Sequence, residues 1–111
     1  MFWKKTTSMQ SSFLELDPPD VSARMARGEI ILVDVREPNE TAVESIPGAL
    51  LMPLSRFDPA ALPKGEVVLT CLGGKRSALA LAQCQKAGVA VSTHMRGGLT
   101  AWKAAGLPTT R

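Results

Sequence analysis

The run Cys71-Leu72-Gly73-Gly74-Lys75-Arg76-Ser77 brings together a nucleophile, two glycines, two cations and a hydroxyl. It follows an apolar, β-like stretch, Val67-Val68-Leu69-Thr70, and leads into a helix-like run from Ala78 to Ala87. The cysteine is therefore expected on a tight loop between a strand and a helix N-terminus. Unpaired backbone N–H groups and the positive end of a helix favour an anion at such a place. Lys75 and Arg76 add two full charges, and surroundings of this kind favour the thiolate. A structural cysteine needs no flanking cations, which are costly to bury. A nucleotide-type phosphate loop needs a longer Gly-x-x-x-x-Gly-Lys-Ser/Thr spacing than this chain has. The local chemistry points to a reactive Cys71 facing an anion cradle.

The other chemically capable residues read differently. Ser77 is expected to cap the following helix with its hydroxyl. Cys84 falls with Ala80 and Ala87 on an apolar helical stripe, which predicts a packing cysteine two turns away from the loop. His94 is the only histidine. It reads as a partly exposed residue at a strand end. Trp102 reads as a core anchor. Asp34 and Arg36 end an apolar strand near the site, where a helix cap or a surface ion pair is expected. Gly73 and Gly74 allow a tight turn.

Alternating strand and helix signals must position this loop. Phe13 to Leu16 alternates like a short strand, and Asp17-Pro18 opens a helix that Gly28 stops. Ile30 to Val35 is an almost unbroken apolar run, expected as a strand buried on both faces. Glu37 to Glu40 opens a short helix, Ile46-Pro47-Gly48 turns, and Ala49 to Met52 forms a brief strand. A helical turn over Pro59 to Leu62 precedes the strand at Glu66 to Thr70. After the helix that ends at Gly88 come a strand near Val91 to His94 and a last helix from Leu99 to Ala105. This order predicts an α/β fold with a mainly parallel sheet and helices on both faces. Ligands of such sheets bind beyond the carboxyl ends of strands, where Cys71 falls.

Composition narrows the function classes. The chain has 111 residues, 45% hydrophobic and 21% charged, as in an ordinary globular domain. Residues 1–12 read as a flexible tail and 13–111 as a single domain. Two cysteines and one histidine cannot assemble a zinc set, and no metal or organic cofactor is expected. The net charge of +3 is spread over scattered basic residues, which does not suggest a nucleic-acid partner. No stretch reaches a membrane span, and the start lacks the apolar core of a targeting signal. Free thiol chemistry in a reducing setting makes the cytoplasm the expected location.

Three segments together resemble the rhodanese-like sulfurtransferase family. They are Leu32-Val33-Asp34-Val35-Arg36-Glu37-Pro38-Asn39-Glu40 with Ile46-Pro47-Gly48-Ala49, the loop Cys71 to Ser77, and Gly97-Gly98-Leu99-Thr100-Ala101-Trp102 with Gly106-Leu107-Pro108. The resemblance implies a five-stranded, mostly parallel sheet and a persulfide intermediate on Cys71. It implies that Leu72, Gly73, Gly74, Lys75, Arg76 and Ser77 bind that persulfide, with Asp34 and Arg36 in support and Asp34 bracing the loop. Arg76 would bind donor oxygens or shape the loop from beneath. The implied partners are thiosulfate or a persulfide donor and a thiol or cyanide acceptor, with a protein in either role conceivable. Four residues separate Cys71 from Arg76, the loop length of the family's sulfurtransferases. The related phosphatases and arsenate reductases carry one residue more. A sulfur carrier or docking module without turnover is the first alternative, and a phosphatase or arsenate reductase of the same fold, disfavoured by loop length, is the second. The chain departs from the family pattern at Thr41 and at Glu44-Ser45, which is expected to loosen local packing or hydrogen bonding. It departs also at Leu72, which removes a cation from the loop mouth.

Overall fold

The computed structural model describes residues 13–111. The tail expected over residues 1–12 lies outside the described residues. Five strands form one sheet: β1 (Leu14–Leu16), β2 (Ile31–Asp34), β3 (Leu50–Leu51), β4 (Val67–Thr70) and β5 (Thr93–Met95). Their spatial order is β1-β5-β4-β2-β3, and every pairing is parallel. Three α-helices lie between strands, α1 (Pro18–Ala26), α2 (Pro38–Thr41) and α3 (Lys75–Lys86), and a fourth, α4 (Gly98–Ala104), follows β5. Short 3₁₀ turns at Leu54–Arg56 and Pro59–Ala61 complete the path from β3 to β4.

The central strands explain the arrangement. Successive side chains of a strand point to opposite faces, and both faces of β2 and β4 are apolar. Leu32 and Val68 join Val21 of α1 and Leu99 and Trp102 of α4 in one core. Val33, Val67 and Leu69 join Ala80 and Leu81 of α3 in the other. Helices therefore cover both faces, as the unbroken apolar runs predict. No helix among the described residues is long and apolar enough to cross a membrane.

Most elements start or stop within a residue or two of expectation, and two shifts bear on the site. The helix α3 starts at Lys75 rather than Ala78, because Gly74 turns the chain at φ +108° and the Ala78 amide closes the first turn onto the Gly74 carbonyl at 3.2 Å. The polar Lys75 and Arg76 carry no apolar period, so they hide this start. β5 runs over Thr93–Met95, shifted from Val91 to His94, and all three of its residues are buried. The shift draws His94 into the sheet.

Candidate active site

The strand β4 ends at Thr70 and delivers Cys71 to the carboxyl edge of the sheet. Cys71 is 1% exposed. Its Sγ accepts the Gly74 backbone N–H at 3.0 Å and lies 3.6 Å from Ser77 Oγ. Among the described residues, the amides of Leu72, Gly73, Lys75, Arg76 and Ser77 have no backbone or side-chain acceptor. These are the donors that a loop and the first turn of a helix leave unpaired. One amide holds the sulfur as it stands, so donors remain for atoms added to it.

The carbonyl side of the loop is fixed from the opposite element. The amides of Leu99 and Thr100, at the start of α4, donate to the carbonyls of Cys71 at 2.8 Å and Leu72 at 3.0 Å. Gly98 makes this approach possible. It sits at φ +58°, and a methyl group there would run into both carbonyl oxygens. The glycine pair of the loop divides its work unequally. Gly74 needs its left-handed conformation, whereas Gly73 has an ordinary φ and open space around its Cβ direction.

Arg76 is committed to a partner. Its guanidinium pairs with both oxygens of Glu40 at 2.6 and 2.8 Å, and Glu40 also accepts the Glu37 amide at 3.0 Å within the capping box of α2. The Arg76 fork, more than any other neighbour, holds the Glu40 carboxyl down at about 2. Arg76 therefore ties α3 to α2. Lys75 is exposed and has no ion-pair partner among the described residues. Leu72 is 46% exposed at the outer turn of the loop.

Several expectations need correction. Ser77 is not the helix cap. Gly74 holds that position, and the Ser77 hydroxyl, inside the first turn, instead meets the Gly74 carbonyl at 3.1 Å and His94 Nδ1 at 2.7 Å. Asp34 and Arg36 form an ion pair, but a buried one with 2.8 Å between Arg36 Nη2 and Asp34 Oδ2. The same Arg36 nitrogen donates to the Glu44 carbonyl at 2.9 Å, so the pair braces the turn after α2 and makes no side-chain hydrogen bond to the Cys71 loop. Glu44 does not loosen its surroundings. Its carboxylate accepts from Lys103 at 2.8 Å and Thr109 at 2.7 Å, which lower it to about 2 and anchor the C-terminal segment. Ala87 is exposed at the end of α3, so the buried stripe there is Ser77, Ala80, Leu81 and Cys84.

The largest miss is His94. It is 6% exposed, with Nε2 3.2 Å from Glu15 Oε2 as well as Nδ1 on Ser77. No local pattern could announce it, because its partners come from β1 and α3. Only the register of β1 on β5, which sets Glu15 beside His94, brings them together. Trp102 is a core residue as expected, and its indole N–H donates to the Pro108 carbonyl at 2.8 Å.

Both the sequence and the fold of this chain have relatives among known proteins. A protein named sulfurtransferase in Allochromatium vinosum is 38% identical over 98 residues, covering 85% of this chain and 92% of its own. An uncharacterized protein of Synechocystis is 51% identical over 85 residues, covering 74% of this chain. This chain matches about half of that relative's length, 48%. The crystal structure of a rhodanese-related protein from Thermoplasma volcanium superposes with a TM-score of 0.77 at 25% identity, covering 88% of this chain and 98% of the other. Residues 17–105, from the start of α1 to the end of α4 and with the whole cysteine loop between them, match the model of the rhodanese-like domain, and the chain belongs to that family.

Proposed function

We propose that the protein is a sulfurtransferase that moves sulfane sulfur from thiosulfate or a persulfide donor to a thiol or cyanide acceptor. The observation that carries this reading is the Cys71 sulfur held by the Gly74 amide, on a loop whose other amides have no acceptor among the described residues. The Cys71 thiolate attacks the outer sulfur of the donor. A Cys71–sulfur bond forms, the donor's S–S bond breaks, and sulfite leaves with the bonding pair when the donor is thiosulfate. The persulfide anion Cys71–S–S⁻ is stabilised by the free amides as an oxyanion would be. An acceptor thiolate then takes the outer sulfur, and Cys71 departs as a thiolate.

The coarse activity is supported by the relative named sulfurtransferase. Donor and acceptor identities, including a protein in either role, belong to the proposal. The cytoplasm is the location we favour, since both cysteines are free thiols, as a reducing compartment keeps them. A carrier without turnover is a second reading, favoured by the exposed apolar Leu72 where a cation would capture small anionic donors.

Intact mass after incubation with thiosulfate tests the proposal. The wild type should gain one sulfur atom, and Cys71→Ser should gain none. Loading that survives Cys71→Ser would sink it. Thiosulfate:cyanide turnover separates the two readings, because a carrier would load from a protein persulfide yet turn over slowly with thiosulfate.

A further inference from the structure

The sulfur chemistry above leaves His94 unused, although burying an imidazole requires partners for both nitrogens. Here both have them. Glu15 Oε2 lies 3.2 Å from Nε2, and Ser77 Oγ lies 2.7 Å from Nδ1. Ser77 Oγ is in turn 3.6 Å from Cys71 Sγ. Glu15 is steadied at its other oxygen by Arg96 at 3.0 Å, and Arg96 by Asp17 at 2.9 Å. A continuous line of polar groups therefore runs from the buried sulfur to a partly exposed carboxylate.

Hydrogen placement along this line has a direction. An ionised Glu15 can only accept, so Nε2 of a neutral ring carries the hydrogen and Nδ1 is bare. Nδ1 at 2.7 Å then accepts the single Ser77 hydroxyl hydrogen in preference to the Gly74 carbonyl at 3.1 Å, and the Ser77 oxygen is free to accept the Cys71 S–H. We propose that His94 is a positioning residue that, acting through Ser77, takes up the Cys71 proton as the thiolate forms and returns it when the transferred sulfur has left. This rests on the sulfurtransferase reading.

The step balances without oxidation or reduction. The S–H bond breaks with its electron pair left on sulfur, the proton passes to Ser77 Oγ, and the Ser77 proton passes to Nδ1. One S–H bond is exchanged for one N–H bond, and an imidazolium remains between Ser77 and Glu15. When an acceptor removes the outer sulfur, Cys71 keeps the S–S bonding pair and the proton comes back by the same path.

The surroundings suit a base that starts neutral. Burial pushes the His94 imidazole below its ordinary range, Glu15 from β1 opposes this, and Arg96 beyond β5 adds to it. Lys75 of α3 shares with His94 and Glu15 the rim of a cleft of about 530 Å³.

Two rates measured from about pH 6 to about pH 9.5 test the relay: sulfur loading by thiosulfate, and alkylation of Cys71 by iodoacetamide. His94→Asn can hydrogen-bond Ser77 but holds no proton. Near pH 7 it should slow both reactions roughly tenfold or more, the lower range of acid–base contributions. The deficit should close at about pH 9.5, where solvent takes a thiol proton unaided. A deficit equal at every pH would make His94 merely structural, and an unchanged rate near pH 7 would overturn the relay outright. Glu15→Gln, on the partly exposed side, should show the same pH-dependent deficit at about threefold, and it decides the matter if circular dichroism shows His94→Asn unfolded. Absence of a deficit in a folded Glu15→Gln would then overturn the relay. Alkylation needs no sulfur transfer, so a wild type that alkylates with the expected His94 dependence yet takes up no sulfur would refute the sulfurtransferase reading alone.

Discussion

Cys71 and Cys84 are equally hidden, at 1% and 0% exposure, and both are free thiols. They differ in what surrounds the sulfur. Cys84 lies on the inward stripe of α3, where burial pushes its thiol up. Cys71 lies at the mouth of the same helix, with an amide at 3.0 Å and a hydroxyl at 3.6 Å. Burial alone makes a thiolate costly, whereas burial among fixed donors replaces the water that a charge gives up. The contrast teaches that two equally buried sulfurs can sit in opposite settings. On the proposed function, the donors aimed at the sulfur, and not its depth, set which one reacts.

The largest effect should appear in direct competition. Iodoacetamide added to the folded protein, followed by peptide mapping, should modify Cys71 at least ~100-fold faster than Cys84, as electropositive and apolar thiols differ. Comparable rates would erase the distinction. A smaller effect should follow from enlarging the donor ring. One glycine inserted between Gly73 and Gly74 gives the phosphatase-like loop length and draws the amides away from a single added sulfur. Thiosulfate:cyanide turnover should fall roughly tenfold or more, since such stabilisation depends on donors within about 3 Å of the charge. Circular dichroism should show the fold intact, because loops accept insertions, and undiminished turnover in a folded variant would mean the ring is not sized for sulfur.

The third expectation concerns the other cysteine. Cys84→Ser places a hydroxyl on the apolar stripe and should cost about 1–3 kcal/mol of stability in urea unfolding while sulfur loading stays within twofold. Lost loading in a folded Cys84→Ser would give both thiols a part in the reaction. The smallest effect is an electrostatic one at the base of the loop. Glu40 is held at about 2 in the folded chain against 4.5 as its ordinary value. Between those values the unfolded chain binds the proton more readily, so stability falls as pH drops through this window. Glu40→Gln should flatten that fall by no more than about 1 kcal/mol, since the pair with Arg76 is partly solvated. An identical acid profile would show that this ion pair adds nothing beyond position.

How far the sequence reveals the molecule depends on the distance between partners. The parallel sheet is legible because β2 and β4 carry unbroken apolar runs that only two covered faces can bury. The cysteine loop is legible because its glycines, cations and nucleophile are consecutive. Ser77 is no cap because the start of α3 is set by Gly74, whose left-handed turn leaves the serine one turn further in. The Asp34–Arg36 pair was legible as an interaction between near neighbours, though not as a buried one. Arg76–Glu40 and the anchor at Glu44 join residues far apart along the chain, and no periodicity marks them. His94 is the extreme case, since it becomes a site residue only through strand register and a helix packed above it.

The attachment of the loop to α4 and β5 also bears on how the protein comes into being. During synthesis Cys71 emerges before Leu99 and Thr100, whose amides orient its loop, and before His94. The first strand, β1, has β5 as its neighbour in the sheet, so it waits for nearly the whole chain before it can pair. Contacts this distant in sequence form late and slowly. An unfinished chain thus carries Cys71 on a loop whose carbonyls nothing yet holds, and the loop is fixed only when α4 docks. On the proposed function, the reactivity of Cys71 is acquired with the docking of α4, which spares the nascent chain from stray modification at its nucleophile.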